Sequence, residues 1–357
     1  RPRGRVEVWG CWLLVICRHT SSFILHPSSC ILHPSSPVSR LPSRVSRLPS
    51  LAAPRLGLPA SSLHVHGLGT VVVDHQVMVA EHPGPDTKCD VLADRHQVGG
   101  PVPTALALLR RFGARASFQG SWGDDPFGRM IESDLSRHGI EFAPPPARAA
   151  ARSGFAHVWV EQATGRRTVA AFRGSHPVAG EQLHHDHLAT CDALHLDGWS
   201  TDAAIRAARR VRESGGRVFI DLGSPKPRLD ELLATVDVLN CPARLIHQLF
   251  GHHDHQAGAR ELLARGPSEI TVTLGDEGAL HAAVQSIAHC PAFPTKAVDT
   301  NGAGDVFTGA LIFATLQAWP AAQKPRFACP AAALQCRKPG NPAALPALHP
   351  VFMLAGM

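Results

Sequence analysis

A short loop at residues 299–305, Asp-Thr-Asn-Gly-Ala-Gly-Asp, holds the residue types best suited to chemistry. Two glycines and an alanine would let the backbone approach a ligand closely, and an apolar run from about Val306 to Leu316 predicts a helix directly behind them. The unpaired N–H groups of the first helical turn would then form an anion hole suited to phosphate. Because a carboxylate at the mouth of that hole would repel phosphate, we interpret Asp305 as a proton acceptor beside a phosphoryl group.

The same loop also permits a purely structural interpretation. Asp305 could simply cap the N-terminus of the helix, a contact worth about 1 kcal/mol. The loop alone does not separate the two interpretations, so the choice between them depends on the elements that surround it.

Strand-like apolar runs alternate with helix-like segments from residue 64 onward. The predicted strands are Val65–Val73, Ala114–Gln119, Ala193–Leu196, Arg217–Leu222, Val236–Leu239 and Glu269–Leu274. The predicted helices include Pro101–Arg111, Pro126–His138 and Thr201–Glu213. Repeated βα units with apolar strands predict an α/β fold, in which helices cover both faces of a mostly parallel sheet.

One segment breaks this alternation, because two short strands follow each other without a helix. Phe155–Val160 and Arg167–Phe172 are joined by four residues that end in Gly165, which predicts a hairpin. With Cys89–Val98 as an extra strand, the hairpin would form a small sheet outside the main layer. We predict a lid made from residues 75–98 and 155–172, and a homodimer that assembles through it.

Four segments occur in a characteristic order: Gly99 to Ala105 before an apolar helix, Gly123-Asp124-Asp125-Pro126-Phe127-Gly128, Thr273-Leu274-Gly275 with Gly278, and the 299–305 loop. Together they resemble the PfkB family of carbohydrate kinases, which includes ribokinase, fructokinases and adenosine kinase. The resemblance covers roughly residues 65 to 350, and four matches in order are more specific than one. It implies a ribokinase-like three-layer sandwich over residues 64–350, and ATP-dependent phosphorylation of a hydroxyl on a sugar, sugar acid or nucleoside.

The resemblance also implies roles for individual residues around the loop. Asp305 would be the general base, and Gly302, Ala303 and Gly304 would supply N–H donors to the transferring phosphoryl group. Thr273, Gly275 and Gly278 would lie beside the nucleotide, whose phosphates Mg²⁺ would bridge. Asp299 would help to bind a monovalent cation such as K⁺, or would only make a hydrogen bond within the loop.

The predicted substrate contacts lie in the N-terminal half of the chain. Asp74, at the end of the first predicted strand, matches an acid that accepts hydrogen bonds from sugar hydroxyls in relatives. The pair Gly99 and Gly100 would let the chain approach the sugar, and Thr104 stands where many relatives have asparagine. The structural alternative for Asp74 is a solvated turn residue.

Two departures from the family pattern favour an alternative, a catalytically impaired relative that only binds sugar or nucleotide. Many relatives carry an N-x-x-E motif tied to Mg²⁺ after the strand near Val236, but this chain reads Cys-Pro-Ala-Arg-Leu at 241–245. Further on, Pro325 and Pro330 should interrupt a helix near the adenine, since a proline inside a helix costs about 3 kcal/mol.

Composition narrows the remaining classes of function. The chain has 357 residues and a formal charge of +6, but residues 1–64 contain eight arginines and one acid, so the rest is nearly neutral. This distribution argues against nucleic-acid binding. No apolar run approaches the length of a membrane-spanning helix. Nine scattered cysteines without a C-x-x-C pair predict reduced thiols and a cytoplasmic protein.

Residues 1–63 differ in composition from the rest of the chain. The segment repeats Ile-Leu-His-Pro-Ser-Ser and Ser-Arg-Leu-Pro-Ser, and such repetition cannot build a packed core. We interpret it as a low-complexity arm that is disordered or is translated upstream sequence. A signal peptide is the alternative, but no small-residue cleavage site follows the apolar stretch.

Two further patterns are weaker. The histidine clusters at 184–187 and 252–255 match no standard zinc spacing and are interpreted as solvated polar residues beside helices. Gly67-Leu68-Gly69 is similar to the start of a dinucleotide fingerprint. It lacks the third glycine and the following helix, so a nicotinamide-dependent oxidoreductase is the least favoured hypothesis.

Overall fold

The computed structural model describes residues 59–146 and 148–357. Residues 1–58 of the predicted arm therefore lie outside the described residues. The last residue of the predicted arm, Leu63, packs in the core of the described structure. Leu63 is only 2% exposed, and its carbonyl accepts a hydrogen bond of 2.8 Å from the backbone N–H of Arg115.

Two sheets account for the strands of the described residues. The strands are β1 (His64–Leu68), β2 (Val72–Val79), β3 (Val91–Gly99), β4 (Arg115–Gln119), β5 (Glu141–Phe142), β6 (Gly154–Glu161), β7 (Arg167–Phe172), β8 (Ala193–Leu196), β9 (Arg217–Asp221), β10 (Val238–Pro242), β11 (Glu269–Thr273), β12 (Ala279–Ala283) and β13 (Ser286–Cys290). The large sheet has the order β13-β12-β11-β10-β9-β8-β1-β4-β5. Its strands from β11 to β5 pair in parallel, and β12 and β13 add an antiparallel edge.

Helices connect and cover these strands. They are α1 (Pro101–Arg111), α2 (Pro126–Arg137), α3 (His185–Thr190), α4 (Thr201–Glu213), α5 (Leu229–Leu233), α6 (Ala243–Phe250), α7 (His255–Leu263), α8 (Ala303–Leu316), α9 (Gln323–Gln335), α10 (Asn341–Ala344) and α11 (Leu348–Ala355). In the part of the chain that the structure describes, none of these helices has the length and apolarity needed to cross a membrane.

Side-chain alternation along the central strands divides the core into two layers. In β9, Phe219 packs with α1 and α8 on one face, whereas Val218 and Ile220 pack with α4 and α7 on the other. All three side chains are at most 1% exposed. A strand buried on both faces reads as a continuous apolar run, which is why the sequence predicted the parallel sheet.

The apolar run at 65–73 was predicted as one strand, and that prediction was wrong. The chain leaves the large sheet after Leu68 and enters a second sheet at Val72. Thr70 lies in the connection, where its backbone N–H donates to the Asp197 carboxylate at 2.7 Å. The pattern did not reveal the break, because the apolar residues resume at Val71, directly after Gly69 and Thr70.

The second sheet has the order β3-β2-β6-β7 and contains the predicted hairpin. The strand predicted at Cys89–Val98 is β3, which pairs with β2. Residues at alternate positions of β2 face opposite sides of this sheet. Asp74 and Gln76 therefore share one face, and His75 belongs to the other.

The C-terminal prolines do not interrupt their helix, so this prediction was also wrong. Helix α9 runs from Gln323 to Gln335 through both of them. Pro325 is its third residue, where a helix has no internal partner for the missing N–H. Pro330 lies inside the helix and is buried. One of the two reasons for expecting an impaired protein is therefore removed.

Candidate active site

A cleft of about 670 Å³ lies between the carboxyl ends of the central strands and the second sheet. Its floor includes Asp221 at the end of β9 and Thr273 at the end of β11, and its other wall includes Asp74 of β2. Open α/β sheets bind ligands at this edge. The cleft also contains Asp305, so the structure brings together the predicted base and the predicted sugar-binding acid.

Asp305 lies in the first turn of α8 and is half-buried at the floor of the cleft. Among the described residues, no side chain or backbone group donates a hydrogen bond to its carboxylate. Burial raises the pKa of Asp305 to about 6, an effect that the positive charge of Arg167 partly offsets. The carboxylate is thus desolvated and has both oxygens available to a ligand.

The backbone directly before Asp305 lines the cleft at Gly304. Gly302 has a φ of 76°, in the left-handed region, and directly precedes the helix. The N–H of Ala303 makes only a long contact of 3.4 Å with the Thr300 carbonyl. A Cβ placed on Gly304 would meet nothing within 4 Å, so the backbone there faces open space.

A second cavity of about 560 Å³ lies on the other side of this loop. Thr273, Gly275 and Gly278, predicted to lie beside a nucleotide, all line it. Apolar side chains form much of the remaining wall, which includes Ala292, Phe293, Pro294, Phe307, Ala332 and Ala333. The cavity shares Gly304 with the first cleft, so the two spaces meet next to Asp305.

Asp74 is buried on the cleft-facing side of β2. It accepts a hydrogen bond of 3.3 Å from the Asn301 side chain, and burial raises its pKa to about 6. A Cβ on Gly99 would lie 2.5 Å from an Asp74 carboxylate oxygen. A Cβ on Gly100, which has a φ of 116°, would lie 2.4 Å from the Thr70 carbonyl. The glycine pair therefore makes room for the acid and for the turn.

Asp299 is 3% exposed, and its carboxylate accepts three hydrogen bonds. The donors are the Gln76 side chain at 2.8 Å, the Asn301 backbone at 2.8 Å and the Gly340 backbone at 3.0 Å. These contacts are those of the loop hydrogen-bonding alternative, and they fasten the loop to β2. A K⁺ ion at Asp299 would compete with these three donors.

Thr104 does not line the cleft that contains Asp305. It is one helical turn beyond Gly100 on α1, is buried, and lines a small separate cavity with Val98 and Asp134. Only the start of the helix, at Gly100 and Pro101, reaches the cleft. The predicted substrate contact of Thr104 is therefore not supported by its position.

Comparison with known proteins identifies the family. A sequence profile described as pfkB family carbohydrate kinase matches residues 64–348. The chain belongs to this family. As a pfkB carbohydrate kinase, it is a phosphotransferase that acts on an alcohol group of a sugar.

Individual relatives are distant but cover most of the chain. Mouse ketohexokinase is 24% identical over 75% of this chain and 94% of its own length. An ATP-dependent ribose-1-phosphate kinase from Halopiger xanaduensis is 28% identical over 70% of this chain and 84% of its own. Arabidopsis thaliana ribokinase, solved with ribose and ATP, superposes with a TM-score of 0.70 at 20% identity. That superposition covers 83% of this chain and 99% of the ribokinase, and it shows a common fold.

Several residues of the pfkB kinase cleft escaped sequence reasoning. Asp197 directly follows β8 and Asp221 ends β9, so the strand-end rule that selected Asp74 could have found both. Arg167, at the start of β7, lines both cavities and donates a hydrogen bond of 2.6 Å to the Thr300 carbonyl. No local pattern marked Arg167, because only the fold brings the hairpin to the loop.

The segment that replaces the N-x-x-E motif also lies at the cleft. Pro242 and Arg244 line it, and Arg244 donates a hydrogen bond of 3.2 Å to the Gly223 carbonyl. Asn240, just before this segment, donates 2.8 Å to the Thr308 hydroxyl, which in turn donates to Asp221. Burial and the nearby charge of Asp305 raise the pKa of Asp221 to about 7. Oxygen ligands are thus present beside the altered motif.

Proposed function

We propose that this chain transfers the γ-phosphoryl group of ATP to a hydroxyl of a sugar, sugar acid or nucleoside, with Asp305 as general base. The observation that carries the proposal is the position of Asp305. Within residues 59–146 and 148–357, no group donates a hydrogen bond to its carboxylate, which is desolvated and lies where two cavities meet at Gly304. A carboxylate that only capped a helix would instead accept hydrogen bonds from the first turn.

In the proposed reaction, the substrate hydroxyl donates its hydrogen to Asp305 while its oxygen attacks the γ-phosphorus. The bond between that phosphorus and the bridging oxygen breaks, and ADP leaves with the electron pair. The backbone N–H groups of Gly302, Ala303 and Gly304 stabilise the charge on the transferring group. General-base help contributes about 10²–10⁴ in rate, and losing one anion-hole donor costs about 10²–10³.

Asp74 is proposed to hold the sugar by accepting hydrogen bonds from its hydroxyls. It lies in the same cleft as Asp305, and Asn301 connects the two regions by its bond to Asp74. Arg167 is proposed to contact the phosphoryl group, because it lines both cavities and its charge acts on Asp305.

The apolar cavity beside Thr273 and Gly275 is proposed to take the adenine and ribose of ATP. Its size suits a nucleotide, since ligand pockets are typically about 300–1,000 Å³. Asp221 and Asn240 offer the oxygen ligands that Mg²⁺ prefers, directly or through water. When bound, Mg²⁺ would neutralise charge on the phosphates.

The second sheet is proposed to act as a lid that excludes water during transfer. Ala156, Val158, Val169 and Ala171 line the cleft and give it an apolar cover. Excluding water would limit wasteful hydrolysis of ATP. The homodimer through this sheet and the cytoplasmic location stay predictions.

The test is to incubate the purified full chain with ATP, MgCl₂ and a panel of sugars, sugar acids and nucleosides. We expect one class to yield a phosphorylated product detectable by phosphorus NMR and mass spectrometry, with ADP formed in equal amount. Asp305→Asn serves as the control, which should form product about 10²–10⁴ times more slowly. If ligands raise the melting temperature but no member of the panel is phosphorylated, the impaired-relative alternative is correct.

A further inference from the structure

Three side chains that commonly bind metals converge on the second sheet. His75 lies on β2, and Asp94 and His96 lie on β3. His75 pairs directly with His96, and Asp94 is two residues before His96, so all three share one face. One ligand atom from each lies within 4.8 Å of the other two. Since Asp74 and Gln76 face the cleft side, this group lies on the outer face, and the proposed kinase reaction does not use it.

The distances within this group suit a small divalent ion. His75 Nε2 lies 3.4 Å from an Asp94 carboxylate oxygen. Two ligands of a tetrahedral zinc ion, each about 2.0–2.1 Å from the metal, are roughly 3.4 Å apart. The imidazole rings of His75 and His96 are parallel, with centres 4.4 Å apart. Small rotations of these rings would direct one nitrogen of each toward a common point.

The three side chains are accessible and have few other partners. The side chains of His75 and Asp94 are 32% and 58% exposed, and His96 is exposed as well. Apart from the contact between His75 and Asp94, the described residues offer these polar atoms no hydrogen bond or ion pair. His157 lies opposite His75 on β6, with ring centres 5.6 Å apart, and offers a further imidazole nitrogen on the same face.

We propose that His75, Asp94 and His96 form a binding site for a late first-row divalent cation such as Zn²⁺. Water or His157 would complete four-coordination. Two imidazole nitrogens favour such an ion over Mg²⁺, which prefers oxygen ligands. The bound ion links β2 to β3, and β2 presents Asp74 to the cleft from the positions next to His75. The ion therefore clamps the strand that carries the predicted sugar-binding acid.

Calorimetric titration of the full chain with ZnCl₂, in excess Mg²⁺, tests the site. The matched control replaces His247 and His253, another pair of parallel imidazoles, with centres 4.3 Å apart. We expect wild type and His247→Ala/His253→Ala to bind one ion tightly, and His75→Ala/His96→Ala to lose at least tenfold in affinity for it. Unchanged Zn²⁺ affinity in His75→Ala/His96→Ala, or an equal loss of affinity in the control, would contradict the proposed site.

A second variant and a spectroscopic measurement test the metal site independently. If the double variant fails to fold by circular dichroism, Asp94→Asn keeps the size of the side chain and should still weaken Zn²⁺ binding at least tenfold. Co²⁺ should give the intense visible absorption of a four-coordinate ion in wild type, and neither in His75→Ala/His96→Ala nor in Asp94→Asn. Since the chain has 22 histidines, this absorption separates a built site from scattered weak binding. Weak, six-coordinate Co²⁺ absorption in wild type would contradict the proposal.

Backbone hydrogen exchange tests separately whether the bound ion stabilises β2 and β3. Zn²⁺ should slow exchange in β2 and β3 of wild type by several-fold and should leave the His75→Ala/His96→Ala variant unchanged. If Zn²⁺ binds tightly but the exchange of β2 and β3 does not change, the ion is bound without clamping the lid.

Discussion

Two loops of this chain, 123–128 and 299–305, are rich in glycine and aspartate, and each precedes a helix. In the first loop, Asp125 caps α2 by accepting a hydrogen bond of 2.8 Å from the Gly128 backbone. It also accepts bonds of 2.9 and 2.7 Å from the backbone and the hydroxyl of Ser153. Although partial burial would raise the pKa of Asp125, these hydrogen bonds lower it below its ordinary value.

Asp305 in the second loop shows the opposite pattern. In the described structure, no group donates to its carboxylate, and burial raises its pKa to about 6. The glycines differ in the same way. A Cβ on Gly128 would collide with the Gly123 carbonyl at 1.9 Å, whereas one on Gly304 would meet open space. The first loop is closed on itself, and the second is open to a ligand.

The difference teaches that residue type and spacing do not separate a capping aspartate from a reactive one. Both positions fit the family pattern and both lie at the N-terminus of a helix, Asp125 as the N-cap and Asp305 in the first turn. What separates them is whether the oxygens of the carboxylate already accept hydrogen bonds from the protein. Such bonds stabilise the ionised form and lower its pKa, which makes the carboxylate a weaker acceptor for a substrate proton. This contrast can be tested by treating the two residues alike.

Replacing Asp305 by asparagine should give the largest effect. The substitution keeps size but removes the proton acceptor, so we expect kcat to fall about 10²–10⁴ with little change in ATP affinity. The melting temperature should stay within a few degrees of wild type. Steady-state kinetics, calorimetric ATP titration and thermal unfolding measure these quantities. A variant with normal turnover would show that Asp305 is only a helix cap.

Replacing Asp125 by alanine should reverse this pattern. Loss of the cap and of both Ser153 contacts should destabilise the fold by about 2 kcal/mol. At a temperature where the variant is fully folded, its kcat should remain within about threefold of wild type, because Asp125 does not line either cavity. Denaturant unfolding and kinetics on the same preparation check both values. A large loss of kcat with unchanged stability would show that Asp125 is not a purely structural cap and would contradict the contrast between the two loops.

Arg167→Met should have a smaller effect that sharpens the account of the second loop. Removing the charge that stabilises ionised Asp305 raises the pKa of that carboxyl, and it also removes a cation from the phosphoryl site. We expect roughly a tenfold fall in kcat near neutral pH. Arg166→Met is the matched control, since Arg166 lines neither cavity and should leave kcat unchanged. Equal kinetics of the two variants would remove Arg167 from the mechanism.

The sequence predicted the regular parts of the fold well. Helices Pro101–Arg111 and Thr201–Glu213 and the strand Ala193–Leu196 have the predicted bounds, because glycine, proline and polar residues border clear apolar patterns. The strand predicted at Val236–Leu239 is Val238–Pro242 instead. The apolar Val236 moved the predicted start two residues too early, and the polar Asn240 ended the predicted strand although pairing continues to Pro242.

The candidate site was predicted only in part, and the missing part is contributed by tertiary structure. The 299–305 loop is contiguous, so its glycines and acid could be found together. Arg167 reaches Asp305 from the hairpin, and its sequence neighbourhood is ordinary for a hairpin. Asp221 ends a strand, so its position could have been marked, but its proximity to Asp305 depends on the fold. For Thr104 the pattern was misleading, because one helical turn separates it from the part of α1 that reaches the cleft.

The pH dependence of kcat in wild type and Asp305→Asn tests the central claim most directly. Since burial raises the pKa of Asp305 to about 6, the base is ionised and active at pH 7. As the pH falls below 6, protonation removes the base, and kcat should drop about tenfold per pH unit. An ordinary aspartate would show this limb near pH 4. We predict a limb near pH 6 in wild type and a low kcat without that limb in Asp305→Asn. A limb near pH 6 that survives in Asp305→Asn would contradict the assignment of Asp305 as the base.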